Sequence, residues 1–334
     1  MGCAAVDVTA QWTSSPAVRS TAKGHVRFSL GGVAQNMACA AQTLLADSAS
    51  VLLAAPINPL DVLGSFAQAE MTRKHLQRDA LILVHGRTAA CNLLLNEHGD
   101  LETGVADMEV VEASLTPNVV ESVFRKHCTN DLRVVGVDAN VLPPTLAKLA
   151  QLCNEQSIPL LFEPTSAAKS DRLVHALLGT PYRAAFATPN TLELAHMAQM
   201  LRDRGVRGMP IEVTRTLLDV LPQGAQAQVR DASVLSHLVD VQLIKMGPSG
   251  VLVVLRKGDE TQVAYAPAHV LEPSKLVNTT GAGDTFTGAI LAAISETHTG
   301  MSWSMDSLLS LVDRGQAAAV HTLYSDEAVA PSFT

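Results

Sequence analysis

The sequence contains few aromatic residues and no long apolar run. The lack of such a run disfavours a membrane-spanning protein. Aromatic residues make up 4% and charged residues 17% of the 334 positions, whereas hydrophobic residues make up 47%. No apolar run approaches the roughly 20 residues that a membrane-spanning helix needs, and the N-terminus lacks the layout of a signal peptide. We therefore expect a folded globular protein without a membrane segment.

Short metal-binding and redox motifs are also missing. The five cysteines form no CxxC pair and the eleven histidines show no HExxH spacing, which disfavours a cysteine or histidine metal site. An odd number of separated cysteines instead predicts reduced thiols and a cytoplasmic location. The net charge of −8 disfavours a nucleic-acid-binding protein. No GxGxxG pattern follows the first predicted strand, which disfavours a Rossmann dehydrogenase.

Two glycines and a carboxylate within residues 278–285, Asn-Thr-Thr-Gly-Ala-Gly-Asp-Thr, carry the clearest chemistry. A predicted strand precedes this segment, and an apolar helix at about 285–296 follows it. Gly281 and Gly283 allow the backbone to approach a ligand, and free amides at a helix start favour an anion such as phosphate. Asp284, beside that site, is suited to take the proton from a hydroxyl that attacks the terminal phosphate of ATP. Its alternative role is that of a helix-capping residue.

A second pair of glycines lies near the start of the chain. Alternating apolar residues predict a half-buried strand at 25–30, and apolar residues at helical spacing follow at 34–45. Gly31 and Gly32 would therefore open a helix, with Asn36 in its early turns.

Two further predicted elements lie outside a repeating strand–helix pattern. Residues 2–8 predict the end of a first strand that delivers Asp7 to the edge of a sheet, where a turn-forming role is the alternative. Residues 88–95 and 101–108 flank a polar turn and predict a β-hairpin. Because the hairpin interrupts the pattern, we expect it to stand off the main sheet and to pair with residues 25–30.

Alternating strands and helices make up the rest of the chain. Their apolar strands predict a central, mostly parallel sheet with helices on both faces, in a single domain of residues 1–334. Ligands of such sheets bind beyond the carboxyl ends of the strands. Strands are predicted at 51–55, 81–84, 132–137, 159–163, 184–188, 242–245, 251–255 and 261–266, and helices at 60–77, 117–127, 143–156, 168–178, 190–203, 210–221, 230–239 and 306–323.

The two glycine motifs together resemble the signatures of one enzyme family. Residues 279–288, Thr-Thr-Gly-Ala-Gly-Asp-Thr-Phe-Thr-Gly, are similar to the C-terminal signature of the ribokinase-like (PfkB) sugar and nucleoside kinases, and Gly31-Gly32 with Asn36 to their N-terminal signature. The resemblance implies that Asp284 is the catalytic base. It also implies an anion hole formed by the amides of Gly281, Ala282 and Gly283. The residues that it implies for substrate hydroxyls are Asp7, Gly31, Gly32 and Asn36.

The same resemblance implies a fold. This is the ribokinase-like α/β/α architecture, with a small β-sheet lid formed by about residues 11–31 and 86–109. Such a lid covers the sugar and keeps water from the γ-phosphate, and it often forms the contact of a homodimer. The alternative is a surface hairpin without such a role.

The resemblance further implies a site for ATP and Mg²⁺. Residues 190–193 match the NxxE motif, which serves magnesium and phosphate placement through water, although the same residues also predict a capping box. Lys169 is either a phosphate ligand or a solvated helix residue, and the turn at 246–250 either follows the nucleotide or is a simple tight turn. The residues expected at ATP are Lys169, Asn190, Lys245, Gly247, Gly250, Thr280, Gly281 and Gly283, with Glu193 as the magnesium residue.

The substrate is indicated by the N-terminal half. Residues 86–108 and 163–166, together with Asn278, resemble pseudouridine kinases, which implies ATP-dependent phosphorylation of the 5′-hydroxyl of pseudouridine. The residues implied to face the base are Thr88, Cys91 and Asn92. The alternatives are ribose, another nucleoside or a hexose as substrate, or a nucleoside-binding protein without catalysis. Asn278 replaces an aspartate that helps to hold a monovalent cation in ribokinase-type members, so dependence on such a cation stays open.

Overall fold

The computed structural model describes residues 1–15, 19–45, 49–129, 131–212, 220–297 and 302–333. Within these ranges, no helix has both the length and the apolar character needed to span a bilayer. The elements in chain order are β1 Ala5–Trp12, β2 Gly24–Gly31, α1 Val33–Leu44, β3 Pro56–Ile57, α2 Val62–Arg73, β4 Ile82–Leu83, β5 Ala90–Leu95, β6 Leu101–Asp107, α3 Glu109–Ser114, α4 Pro117–His127, β7 Val135–Asp138, α5 Pro143–Glu155, β8 Leu160–Glu163, α6 Ala167–Ser170, α7 Arg172–Leu177, β9 Ala184–Ala187, α8 Thr191–Asp203, β10 Ile211–Glu212, α9 Ala225–Leu235, β11 Val239–Lys245, β12 Val251–Lys257, β13 Glu260–Ala266, α10 Ala282–Glu296 and α11 Met305–Leu323.

The larger sheet has seven strands in the order β10-β13-β12-β11-β9-β8-β7. Strands β7, β8, β9 and β11 are parallel neighbours, and β12 is antiparallel to both β11 and β13. Strands β8 and β9 read Leu-Leu-Phe-Glu and Ala-Ala-Phe-Ala and are buried throughout, as expected of strands that are covered on both faces. The predicted mostly parallel sheet with helices on both faces is confirmed.

The hydrophobic core is divided between the two faces of this sheet. Leu160 and Phe162 of β8 pack in a cluster with α5, α7 and α8, whereas Leu161 packs in a second cluster with α10 and α11. Because successive side chains of a strand point to opposite faces, one buried strand serves both layers. In the second cluster, Phe186 of β9 meets Trp303 edge to face at 5.0 Å between ring centroids.

The smaller sheet has four strands in the order β2-β1-β5-β6. Strands β5 and β6 form the predicted hairpin. The prediction that this hairpin pairs directly with residues 25–30 is wrong, because β1 lies between β2 and β5. Residues 2–8 were predicted to be the end of a strand. Since β1 extends to Trp12, Asp7 lies inside the strand and not at its end.

Residues 1–4 connect the two sheets. The amide of Asp138 in β7 donates to the carbonyl of Met1 at 3.2 Å, and the amide of Gly2 donates to the carbonyl of Ala54 at 3.0 Å. Residues 1–4 thus lie alongside β7, and the chain enters the smaller sheet at Ala5.

Three other predicted elements differ from the structure. The strand predicted at 51–55 is reduced to a bridge between Leu52 and Gln77, because regular pairing begins only at β3. The helix predicted at 210–221 begins instead as β10, since the edge of β13 provides a parallel partner; residues 213–219 lie outside the described residues. The helix predicted at 168–178 is divided at Asp171 into α6 and α7.

Candidate active site

Helix α10 begins at the C-terminal glycine segment, and its N-cap needs to be glycine. Gly281 is the N-cap with a left-handed φ of 79°, and a Cβ there would collide with the carbonyl of Ala328. The helix starts at Ala282, so the first amides of α10 have no partner within the helix. A Cβ on Gly283 would lie 3.4 Å from Nζ of Lys245. The free amides and the nearby ammonium together form a positive site for an anion.

Helix α1 begins at the second pair of glycines, next to β1. Gly31 ends β2, and the carboxylate of Asp7 occupies the space that a Cβ of Gly31 would need. Gly32 is the N-cap with a φ of 95°, and a Cβ there would meet the backbone of Cys3. The two glycines therefore let β1, β2 and α1 meet closely, with Asn36 one turn into the helix.

Asp138, which was not among the predicted site residues, holds this helix start. Its side chain is fully buried at the carboxyl end of β7. The carboxylate accepts hydrogen bonds from the amides of Cys3 at 2.8 Å, Ala34 at 3.0 Å and Asn140 at 2.9 Å. A carboxylate is stabilised by free amides in the first turn of a helix. Its only signal in the sequence was an acidic residue directly after a predicted strand.

Asn36 and Asp284 are brought together by the contact between α1 and α10. The side-chain amide of Asn36 donates to Oδ2 of Asp284 at 2.8 Å. One turn further along both helices, a Cβ on Gly288 would lie only 2.6 Å from the Cβ of Ala40. Because no side chain separates the helices at Gly288, the two glycine motifs come to lie at one site.

The surroundings of Asp284 raise its pKa to about 7. Burial is the main cause, and the negative charges of Glu163 and Asp138 raise the pKa further. The hydrogen bond from Asn36 and the ammonium of Lys245 act in the opposite direction. A carboxyl group with a pKa near neutrality can accept a proton during a reaction and release it to water afterwards.

Glu163 is the centre of a buried polar cluster beneath the start of α10. Its Oε2 accepts hydrogen bonds from Nζ of Lys245 at 2.8 Å, the hydroxyl of Thr188 at 2.6 Å and the hydroxyl of Thr287 at 2.8 Å. These donors lie on β11, after β9 and on α10, so one carboxylate joins three elements to the end of β8. In the sequence, Glu163 is only an acidic residue at the end of a predicted strand, and its long-range pairing has no sequence signal.

Asn190 and Glu193 form the predicted capping box at the start of α8. Oδ1 of Asn190 accepts from the amide of Glu193 at 3.0 Å, and Oε2 of Glu193 accepts from the amide of Asn190 at 2.8 Å. Burial raises the pKa of Glu193, and the charge of Lys245 lowers it. The capping role is therefore present in the structure, and the metal role stays a prediction.

The chemistry of the donor set decides how a magnesium ion would fit. The described residues contain no group of three His, Cys, Asp or Glu side chains placed to hold a metal ion. Glu193 is a buried carboxylate whose charge acts on Lys245 at the anion site. The site therefore fits an ion held mainly by phosphate oxygens and water, with Glu193 as one contributor.

Asp7 and Cys91 share one face of the smaller sheet. They are direct cross-strand partners on β1 and β5, so their side chains point to the same side. Burial raises the pKa of Asp7 to about 6, and no donor within the described part of the chain hydrogen-bonds its carboxylate. An unpaired, partly buried carboxylate is a suitable acceptor for the hydroxyls of a ligand.

The structure does not bring Thr88 and Asn92 to this face. Asn92 follows Cys91 in β5, so it points to the opposite side, where it is exposed. Thr88 is buried, and its hydroxyl donates to Oδ1 of Asp61 at 3.0 Å. The hydroxyl of Thr88 therefore serves the N-cap of α2, and neither residue shares the face that carries Asp7 and Cys91. A ligand contact of Thr88 or Asn92 stays a prediction that this arrangement does not favour.

Lys169 lies on the Asp138 side of the site, away from the start of α10. Its Nζ donates to Oδ1 of Asn140 at 2.6 Å, and its charge lowers the pKa of Cys3 against a larger effect of burial. The charges that act on Asp284 come from other groups. Lys169 therefore lies apart from the start of α10, whereas Nζ of Lys245 lies 3.4 Å from the position of a Cβ on Gly283. Phosphate contacts of both residues stay predictions.

The remaining predicted nucleotide residues lie in turns. Gly250 has a φ of 85° and closes a tight turn in which a Cβ would collide with the carbonyl of Ala266, while Gly247 is exposed and open to solvent. Thr280 is exposed, and its amide donates to Oδ1 of Asn278 at 2.9 Å. The side chain of Asn278 thus orders the loop before α10, and nucleotide contacts at these positions stay predictions.

Solved structures support the fold. A carbohydrate kinase from Agrobacterium tumefaciens has a TM-score of 0.69 at 22% identity, and covers 98% of this chain and 90% of that one. Ribokinase from Giardia lamblia has a TM-score of 0.69 at 17% identity, with 98% and 94% covered. The structure of Arabidopsis thaliana ribokinase complexed with ribose and ATP has a TM-score of 0.64 at 17% identity, with 98% and 94% covered.

Curated relatives are similar along the whole chain. A pseudouridine kinase from Arabidopsis thaliana is 25% identical over 368 residues, which cover 100% of this chain and 92% of the relative. A pseudouridine-metabolizing bifunctional protein from Schizosaccharomyces pombe is 23% identical over 92% of this chain, which spans 43% of that longer protein. Residues 2–331 match the family model described as pfkB family carbohydrate kinase. The chain therefore belongs to the pfkB family of carbohydrate kinases.

Proposed function

We propose that the protein transfers the γ-phosphoryl group of ATP to the 5′-hydroxyl of pseudouridine. Membership of the pfkB family makes it a phosphotransferase that uses ATP and an alcohol acceptor. The names of the curated relatives from Arabidopsis and fission yeast support pseudouridine as the acceptor. The single observation that carries the chemistry is the 2.8 Å hydrogen bond between Asn36 and Asp284. It joins the helix start expected at the acceptor to the helix start expected at the phosphates.

The acceptor binds between the smaller sheet and the start of α1. Asp7 offers an unpaired carboxylate to the ribose hydroxyls. Asn36 offers its side-chain amide next to Asp284, the proposed catalytic base. Cys91, as the partner of Asp7 on the same face, lies where the nucleobase is expected. Asn140 and Lys169 provide polar groups on the same side.

Asp284 takes the proton from the 5′-hydroxyl as that oxygen attacks the γ-phosphorus. The bond from phosphorus to the bridging oxygen of ADP breaks as the new bond forms, and its electron pair leaves with ADP. The amides of Ala282 and Gly283 and the ammonium of Lys245 stabilise the charge on the transferring group. Mg²⁺, when bound, neutralises part of the charge on the phosphates. Asp284 then returns its proton to water, which its pKa of about 7 permits.

The smaller sheet acts as a lid over the acceptor. The face with Asp7 and Cys91 turns to the site and keeps water from the γ-phosphate. The opposite face exposes apolar side chains, with Val26, Phe28 and Val105 at 66%, 50% and 72% exposure. We infer that two copies of the chain pair through this outer face, because a contact between copies would remove these apolar side chains from water.

A comparison of acceptors tests the proposed function. Purified protein is incubated with ATP and, separately, pseudouridine, uridine, ribose or fructose, and ADP and the phosphorylated product are quantified by mass spectrometry. We expect the highest kcat/KM with pseudouridine, with the new phosphate on the 5′-oxygen. A clear preference for ribose would contradict the proposed substrate and leave the kinase chemistry in place. Binding of pseudouridine without any transfer would contradict the proposed activity itself.

A further inference from the structure

We propose that Lys245 is the cation that neutralises the transferring phosphoryl group, and that Glu163 is the residue that positions it there. The inference rests on the proposed phosphoryl transfer and assigns a role to a buried carboxylate that cannot reach the ligand itself. Lys245 is thus a catalytic residue, because its ammonium touches the reacting group, and Glu163 acts through it.

The geometry of Glu163 is that of a fixed anchor. The residue is 3% exposed, and Thr188 and Thr287, which donate to it, are fully buried. All three donors converge on the single atom Oε2, and Oγ1 of Thr287 lies 3.0 Å from the carbonyl oxygen of Gly283. The same carboxylate therefore fixes the ammonium of Lys245 and the first turn of α10 relative to each other.

Lys245 retains the capacity to bind a second partner. Its side chain is 18% exposed, and of the three hydrogens on its ammonium, Glu163 uses one. The space that a Cβ of Gly283 would fill lies 3.4 Å from Nζ, so a phosphoryl oxygen at the helix start would meet both amides and ammonium. The charges of Glu163 and Glu193 raise the pKa of Lys245 against the effect of burial. The side chain of Lys245 therefore stays protonated before an anion binds.

The pH dependence of the rate can distinguish an effect on catalysis from a purely structural role, because nearby charges change the pKa of Asp284. They come from Glu163 on β8, Lys245 on β11 and Asp138 on β7, together with the neutral donor Asn36 on α1. Glu163 raises the pKa of Asp284, and Lys245 lowers it. Neutral substitutions of the two residues should therefore move the acidic limb of the rate profile in opposite directions.

The test compares Glu163→Gln, Lys245→Met and the matched control Thr188→Val, which removes a donor to Glu163 without changing any charge. For each variant, kcat and kcat/KM for the acceptor are measured against pH, and folding is checked by thermal unfolding. We expect the acidic limb to move to lower pH in Glu163→Gln and to higher pH in Lys245→Met, and to stay in place in Thr188→Val. We also expect kcat to fall about 100-fold or more in Lys245→Met and about tenfold in Glu163→Gln, with the KM for the acceptor little changed.

Two further measurements test the role of Lys245. The first does not depend on the identity of the acceptor, and the second shows that a variant with a low rate is still folded. The affinity for a non-hydrolysable ATP analogue, measured by calorimetry, should fall about tenfold in Lys245→Met whichever acceptor the enzyme uses. Methylammonium should restore part of the rate of Lys245→Ala, because a small cation can occupy the position of Nζ. If pseudouridine proves not to be the acceptor, the same variants are assayed with the alcohol that is. Unshifted limbs, unchanged affinity for the analogue or a lack of rescue would overturn the assignment.

Discussion

Asn36 and Asp284 are 248 positions apart in the chain and are joined by one hydrogen bond of 2.8 Å. The donor lies one turn into α1 and the acceptor in the first turn of α10. The side-chain amide fixes one oxygen of the carboxylate and leaves the other for a substrate hydroxyl. The pair therefore orients the proposed base before any ligand binds.

Replacement of Asp284 by Asn should remove the base and preserve the shape of the site. We expect kcat to fall at least about 100- to 10,000-fold, because a positioned general base contributes that much. Ligand affinity, measured by calorimetry with the nucleoside and with a non-hydrolysable ATP analogue, should be retained. Turnover close to that of the wild type would contradict the assigned role.

The rate should depend on pH through Asp284. The carboxyl group acts as a base only when ionised, and its pKa is raised to about 7. We therefore expect kcat/KM for the acceptor to fall as the pH drops below about 7 and to reach a plateau above it. The residual rate of Asp284→Asn should lack this limb. If the wild-type rate instead falls only near the ordinary aspartate pKa, the burial of Asp284 in the free enzyme is contradicted.

Replacement of Asn36 by Leu should move this limb to higher pH. The hydrogen bond from Asn36 lowers the pKa of Asp284, so its loss leaves the carboxyl group protonated over a wider range. We expect kcat/KM near neutral pH to fall about tenfold or more, since a contact to the acceptor is lost as well.

The neighbouring residue provides the matched control for that variant. Oε1 of Gln35 is buried without a hydrogen-bond partner among the described residues, so Gln35→Leu should cost little stability. Its limb should coincide with that of the wild type. An equal shift in both variants would mean that packing in α1, and not the bond to Asp284, sets the pKa.

Replacement of Gly288 by Ala should separate the two helices. The added Cβ would lie 2.6 Å from the Cβ of Ala40, and overpacking of this kind costs about 1 to 3 kcal/mol of unfolding free energy. Urea unfolding measures the loss, and kcat should fall together with it because Asn36 and Asp284 move apart. In the control Gly86→Ala, no atom lies within 4 Å of the added Cβ, and stability and rate should be unchanged.

Replacement of Val105 by Glu tests the outer face of the lid. A buried charge at a subunit contact is unfavourable, so we expect a monomer by sedimentation velocity where the wild type is a dimer. Leu60→Glu, at a position that is 85% exposed outside the smaller sheet, should leave the dimer intact. A wild-type monomer at assay concentration would contradict the inferred pairing.

The elements that could be predicted from sequence are those with local signals. The glycine pairs before α1 and α10, the hairpin of β5 and β6, and the Asn190–Glu193 cap each depend on residues within a few positions of one another. The placement of β1 could not be predicted, because pairing with β2 and β5 depends on residues far apart in the chain. The opposite orientations of Cys91 and Asn92 follow from strand periodicity, because neighbouring residues of a strand point to opposite faces.

The site residues that could not be predicted are those whose partners are distant in sequence. Asp138 meets Ala34 across 104 positions, and Glu163 meets Thr287 across 124. In each case a strand end delivers a carboxylate, and a separate helix delivers its donor. A single sequence shows such residues only as ordinary acidic residues after strands.

One residue, Gly32, separates the end of β2 from the beginning of α1. A tilt of β2 about this point would leave α1 packed against Gly288 of α10. The contact between Asn36 and Asp284 would then persist while the smaller sheet moves over the acceptor. Protection of ATP from hydrolysis would therefore depend on the position of the sheet, since the carboxylate is already aligned.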